Sequence, residues 1–272
     1  MKKSIQELEG IANEVRVSIV KMVHTANSGH MGGAMSFADM ITALFYNKLN
    51  YDPKNPKWED RDRFVLSSGH MCAGLYTILA KIGVFSEEEL WQFRQLGSPL
   101  QGHPKYNLDY GIEMSTGSLG QGLSVANGMA LAARVQNKNY RVYSLETDGG
   151  SQEGMVWEAA MLAAHYKLDN RCVLFDYNNV QIDGFCSDVM DLGSVADKFT
   201  AFGWHVIEID GHDMQACCDA LDEAEKIKGK PQAIISKTTL GKGVSVFENK
   251  SKFHGTPPTD EEFAIAMKEL GN

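Results

Sequence analysis

Apolar residues recur at helical spacing from the start of the chain. Ile5, Leu8, Ile11, Ala12, Val15, Ile19 and Met22 line one face of a long amphipathic helix. The run His24 to His30 (HTANSGH) breaks it, and the pattern resumes as a second helix near Phe37 to Leu49. Arg63 to Leu66 (RFVL) is a short strand running into Ser67-Ser68-Gly69-His70, and Cys72 to Ile82 is helical again. Ser86 opens another helix, with Glu89 completing a capping box and Phe85 and Leu90 spaced as a hydrophobic staple. Leu96 to Tyr110 reads as loop. Ser115 to Gly122 is a Gly-rich turn that feeds an Ala-rich helix ending at Val135.

The centre of the chain has the clearest pattern. Tyr140 to Thr147 (YRVYSLET) is rich in β-formers and stops at Asp148-Gly149-Gly150. Gly154 to Tyr166 is an Ala- and Met-rich helix without a breaker. Arg171 to Tyr177 (RCVLFDY) is an apolar run of the kind expected of a strand buried on both faces, and it stops at Asn178-Asn179. Strand, helix, strand over this span is a βαβ unit. Beyond it the pattern gives a helix over Ala196 to Gly203, a strand over Trp204 to Ile209, a helix over Met214 to Ile227 and a strand over Ala233 to Thr238. Leu240 to Thr259 is irregular. Thr259 and Glu262 cap a last helix with Phe263, Met267 and Leu270 inward. The alternation predicts an α/β fold, a doubly wound and mostly parallel sheet with helices on both faces. With no linker, repeat or low-complexity stretch, residues 1–272 read as a single domain.

Composition narrows the partners. A net charge of −9 and a pI near 5.4 argue against nucleic acid or an anionic membrane surface. No apolar run approaches the length of a membrane span, and the opening MKKSIQELEG lacks the apolar core of a signal peptide. The 5 cysteines show no metal-ligand spacing and read as reduced thiols of a cytoplasmic protein.

Candidate chemistry concentrates at the strand ends. Asp148 and Asn178 each stand just past the carboxyl end of a strand, the edge at which open α/β sheets bind ligands. A carboxylate and an amide oxygen suit Mg²⁺ or Ca²⁺, and Mg²⁺ takes its remaining ligands from phosphate oxygens. Gly149 and Gly150 admit a phosphate close to the backbone, at the N-terminus of the following helix. On residues alone two readings stand: a diphosphate held with a divalent cation, or two ordinary turns. Four histidines lie beside glycines in predicted loops: His30, His70, His103 and His254. No two of them share the spacing of a metal pair, and imidazoles near neutral pH hold phosphate or relay protons. Helix-borne His165 and strand-borne His205 read as structural.

The stretch TDGGSQEGMVWEAAMLAAHYKLDN followed by DYNNVQIDG resembles the thiamine-diphosphate motif, a GDG turn followed by an Asn one βα unit later. More narrowly, it resembles the transketolase family in its N-terminal, diphosphate-binding half. The resemblance covers nearly the whole chain and implies roles residue by residue. ANSGHMGG implies that His30 lies beside the reacting carbons of the substrate, and VLSSGHMCAGLY that His70 contacts the cofactor diphosphate. GSPLQGHPKY places His103 at the donor's hydroxyketone end. STGSLGQGLS gives Gly117, Ser118 and Leu119 to the aminopyrimidine and thiazolium rings. ENKSKFHGTPPTDEE gives His254 to substrate and cofactor together. Asp148, Asn178 and the Val180 carbonyl are implied as metal ligands, with Gly149 at the diphosphate. Glu153 and Glu158 match acidic residues near the subunit interface that help couple two active sites.

Three positions depart from the family. Thr147 stands where the motif has its first Gly and is expected to crowd the diphosphate. Leu240 replaces a common Lys, removing a polar contact, and Met31 replaces a common Pro.

In the family the Glu that activates the aminopyrimidine, and the groups that grip the sugar phosphate, belong to a following pyrimidine-binding domain. The chain ends at Asn272 after one domain, so it is expected to be the N-terminal subunit of a split transketolase. Its partner would be a separate C-terminal subunit, in an assembly with two copies of each chain. The implied reaction moves a two-carbon ketol group from a ketose phosphate to an aldose phosphate. Two other readings are carried: the α subunit of a thiamine-dependent 2-oxo acid dehydrogenase, and a non-catalytic assembly or regulatory homologue. A nucleotide-binding Rossmann domain is disfavoured, because no G-x-G-x-x-G follows the first strand.

Overall fold

The computed structural model describes residues 2–272. The apolar stripe at the start forms α1 (Ile5–Ala26), whose first N–H groups are satisfied by a capping box between Ser4 and Glu7. Asn27, in left-handed conformation, ends it. A short helix that the pattern did not announce, α2 (Gly32–Ser36), precedes the one expected near Phe37 to Leu49, which is α3 (Ala38–Ala43) followed by one π-helical turn over Leu44–Lys48. Phe37 sits at ψ 0°, so the axis bends there, and the single proton of Ser36 Oγ is shared between the Gly33 carbonyl at 2.8 Å and Asp176 Oδ2 at 2.6 Å. The segment after Ser86 keeps its capping box but winds as a 3-10 turn over Glu87–Gln92.

The remaining elements follow the predicted alternation: β1 (Arg63–Leu66), α4 (Cys72–Lys81), α5 (Gln121–Val135), β2 (Val142–Thr147), α6 (Gly154–His165) and β3 (Arg171–Tyr177). A small hairpin that the pattern did not announce comes next, β4 (Val180–Gln181) and β5 (Gly184–Phe185), then α7 (Cys186–Val189) and α8 (Val195–Ala201). The chain closes with β6 (His205–Asp210), α9 (Met214–Lys226), β7 (Gln232–Lys237), α10 (Lys252–Gly255) and α11 (Asp260–Glu269).

Five strands form one parallel sheet in the order β1-β2-β3-β7-β6. Strand residues alternate between its two faces. Tyr143, Leu145, Cys172, Leu174 and Ile234 join a core built with α1, α3, α4 and α9. Val142, Val173, Phe175, Ala233 and Ile235 join a second core built with α5, α6 and α8. Burying an aliphatic or aromatic side chain of this size contributes roughly 1.5–3 kcal/mol. The two cores therefore give the loops at the carboxyl edge a rigid frame. Among the described residues no helix is long and apolar enough to cross a membrane, and all five cysteines are free.

Candidate functional site

Loops at the carboxyl edge of the sheet enclose one cavity of about 360 Å³. Its floor is the turn after β2. Asp148 is buried there; its Oδ1 accepts from the Gly149 N–H at 2.8 Å, and its Oδ2 accepts from the Asn179 N–H. Burial and the nearby charge of Asp176 push its carboxyl up to about 7. Such a carboxylate is held short of positive charge, which a divalent cation supplies. Asn178, one strand over, lines the same cavity, and its Oδ1 accepts from the Val180 N–H at 2.9 Å. Among the described residues no three His, Cys, Asp or Glu side chains form a metal cage. A two-side-chain site completed by phosphate oxygens needs none.

Behind Asn178 stands Asp176, fully buried at the end of β3. Its Oδ2 accepts from Asn178 Nδ2 at 2.7 Å and from Ser36 Oγ at 2.6 Å, and its Oδ1 accepts from Thr238 Oγ1. Residues from three separate segments thus fix one amide side chain. Nothing in the local pattern signals this role, because Asp176 sits inside an apolar strand run.

The four Gly-flanked histidines all line the cavity. The ring centre of His30 lies 5.4 Å from that of His70, 6.1 Å from His103 and 5.9 Å from His254. His70 and His254 stack at 5.0 Å. Burial pushes all four imidazoles below their ordinary value, His30 to about 4; neighbouring imidazoles add to the shift in His30 and His70, and the Arg94 guanidinium in His30 and His103. At neutral pH they are uncharged donors and acceptors. Buried His254 Nδ1 has no partner among the described residues, an orphaned polar atom in the cavity that suits a polar ligand. His165 packs edge-on against Tyr166 and His205 pairs with Glu223 at 2.8 Å, both away from the cavity lining.

Gly117, Leu119, Gly149, Val180 and Glu153 also line the cavity, whereas Ser118 and Glu158 are exposed and do not. Thr147 lines it too, but its Oγ1 is tied into the turn, accepting from the Gly150 N–H at 3.1 Å and meeting Ser68 Oγ at 3.2 Å. Beneath it lies Glu146, buried, its carboxylate accepting from Ser67 Oγ at 2.7 Å, Ser68 Oγ at 3.1 Å and the Thr147 N–H at 3.0 Å. A Cβ on Gly150 would stand 2.1 Å from Glu146 Oε1, so the carboxylate fills the space a side chain at 150 would take. Leu240 is fully buried against Gly32, outside the cavity lining.

A buried carboxylate short of positive charge, a fixed amide oxygen, close-approach glycines and an orphaned imidazole nitrogen fit a diphosphate and its cation. This fold and site define a thiamine-diphosphate-binding α/β domain. The family described as "Transketolase, thiamine diphosphate binding domain" matches residues 8–272, and the chain belongs to it. A 6-deoxy-6-sulfo-D-fructose transketolase subunit of Clostridium sp. (strain MSTE9) is 40% identical over 264 residues, covering 97% of this chain and 96% of the relative. An apulose-4-phosphate transketolase subunit of Phocaeicola vulgatus is 40% identical over 266 residues, covering 98% and 94%. The crystal structure of transketolase from Campylobacter jejuni superposes with a TM-score of 0.92 at 39% identity, covering 99% of this chain but 43% of that one. The chain therefore spans nearly the full length of the two subunits and less than half of the longer enzyme.

Proposed function

We propose that this chain is the N-terminal, thiamine-diphosphate-binding subunit of a two-chain transketolase. The observation that carries the reading is the convergence of Asp148, Asn178 and four neutral imidazoles on one cavity at the strand ends. When bound, thiamine diphosphate supplies an electron sink for breaking and forming the carbon–carbon bond beside a carbonyl. Asp148, Asn178 and the Val180 carbonyl hold Mg²⁺, or Ca²⁺ in its place. His70 and the Gly149 backbone meet the diphosphate, and Gly117, Ser118 and Leu119 border the rings. His30, His103 and His254 face the sugar and orient its oxygens, and His103 and His254 move protons between them. Glu153, at the cavity, and Glu158, one turn into α6, serve the contact between two copies of the site.

The ketol group passes from a ketose phosphate to an aldose phosphate, as in cytoplasmic pentose phosphate metabolism. The activating Glu and the sugar-phosphate cradle come from a C-terminal transketolase subunit, in an assembly with two copies of each chain. Support for a covering partner comes from exposed apolar side chains. Ile182, Phe185, Val189 and Met190 lie on the hairpin and α7 beside the cavity, and Val125, Met155, Met161, Leu162 and Tyr166 lie on or beside the packed pair α5 and α6. Patches of this kind mark interaction surfaces.

The test is Mg²⁺-dependent binding of thiamine diphosphate by the chain assembled with its C-terminal subunit. Asp148→Ala is expected to abolish it. Parent affinity in that variant would remove Asp148 from the site.

A further inference from the structure

Arg94 is the charged group behind the imidazoles to which ketol transfer, as proposed, gives no task. It adopts left-handed backbone geometry, φ 61°, and its N–H donates to the Leu100 carbonyl at 2.9 Å. Its Nη1 donates to Ser28 Oγ at 2.9 Å and its Nη2 to the Gly102 carbonyl at 3.3 Å. A Cβ on Gly102 would come within 2.7 Å of the guanidinium carbon, so glycine is needed there for the fork to pass. Arg94 thereby ties the loop carrying His30 to the loop carrying His103. The same Nη2 stands 3.4 Å from His30 Nδ1.

That contact has a chemical direction. A guanidinium only donates hydrogen bonds and stays protonated in proteins. Its N–H can meet His30 Nδ1 only where that nitrogen keeps its lone pair. A neutral imidazole has one ring proton, which then resides on Nε2. The far edge of the ring turns toward Gly255, next to the cavity-lining His254, where an added Cβ would lie 3.3 Å from both Nε2 and Cδ2.

We infer that Arg94 is a positioning residue that holds His30 as its Nε2–H tautomer, a neutral hydrogen-bond donor to a carbonyl or hydroxyl oxygen rather than a carrier of protons. The titratable and charged groups packed around His30 are His70, His103, His254 and Arg94; the carboxylates that share its cavity, Asp148, Glu153 and Asp183, make no ion pair with it among the described residues, so its immediate neighbours do not favour an imidazolium. Burial and these neighbours push it to about 4, in agreement. A preorganised neutral N–H steadies charge that grows on an oxygen without first having to reorient. The tautomer stands on this chain alone; its use in ketol transfer rests on the proposed function.

The experiment is a ¹H–¹⁵N correlation through two bonds on the full chain labelled at histidine nitrogens, with His30 assigned by its disappearance in His30→Gln. At neutral pH, His30 is expected to show a bare Nδ1 and a protonated Nε2. Arg94→Lys, which keeps a donor and a charge, is expected to retain that pattern. Arg94→Met is expected to mix the two tautomers and raise the His30 titration midpoint while the signals of distant His205 stay in place. A wild-type His30 protonated on Nδ1 overturns the inference, whether or not the variants fold. So does a folded Arg94→Met that keeps the Nε2–H form unmixed. If the tautomer is as stated and the assembled enzyme transfers no ketol group, the proposed function fails and the tautomer assignment survives.

Discussion

Asn178 donates its side-chain N–H to Asp176 at 2.7 Å, and together with the Val180 N–H on its Oδ1 this bond sets which end of the Asn178 amide is left for a cation. Asp176 as a carboxylate only accepts, so the nitrogen must face it and the oxygen must face Val180. Asp176→Asn keeps the shape and removes that rule, since an amide donates as readily as it accepts. Metal-dependent affinity for thiamine diphosphate is expected to fall about 10–100-fold, the usual scale for a partner that orients a ligand. Equilibrium titration of the assembled enzyme checks this, and unchanged affinity would show that Asn178 needs no such guide.

The turn after β2 makes a second prediction. Glu146 occupies the space of a side chain at Gly150, so Gly150→Ala is expected to destabilise the chain by about 1–3 kcal/mol, the usual cost of overpacking. In a Glu146→Ala background the same change should cost much less, only the 3.0 Å approach to Thr147 Oγ1 remaining. Urea unfolding of the four proteins in this cycle gives the coupling, and additive effects would refute the steric account. Thr147→Ser keeps the hydroxyl that accepts from Gly150 and should be neutral, whereas Thr147→Val should lose about 1 kcal/mol.

Acid stability follows from the imidazoles. Held below their ordinary value, they bind fewer protons in the folded chain than in the unfolded one. Their contribution is complete above the ordinary value of 6.5 and is lost as pH falls toward about 4, where His30 charges in the folded state. Asp148, held up near 7, acts with the opposite sign, so the comparison to make is wild type against His30→Gln, which shares Asp148. Urea midpoints of the wild type should fall more steeply over this window. Parallel pH profiles would mean that His30 is not held neutral.

The sheet and most helices were legible because their apolar periods are long and uninterrupted, as in Arg171–Tyr177 and Gly154–His165. The strand-end turns and the Gly-flanked histidines were legible because glycine marks loops that approach something closely. The break at Phe37 was not, since no residue between Gly32 and Ala43 marks a stop there and the bend comes down to one backbone angle. Nor were Arg94, Asp176 and Glu146. Each acts through partners far away in sequence, such as Ser28, Thr238 and Ser67, and local pattern holds no record of such pairings. Thr147 and Leu240 read, from sequence, as losses at the site. The structure ties the hydroxyl of Thr147 into the turn and buries Leu240 in the core.

If Asp148 and its neighbours form half of a transketolase site that a second subunit completes, neither half should work alone. The decisive assay is ketol transfer from a ketose phosphate to an aldose phosphate, with thiamine diphosphate and Mg²⁺ present. It is made on the purified chain, on its purified C-terminal partner and on the two mixed. Transfer is expected only in the mixture, and is expected to vanish when the chain carries Asp148→Ala. Robust transfer by the chain alone, or an Asp148→Ala mixture as active as the parent, would refute the split site.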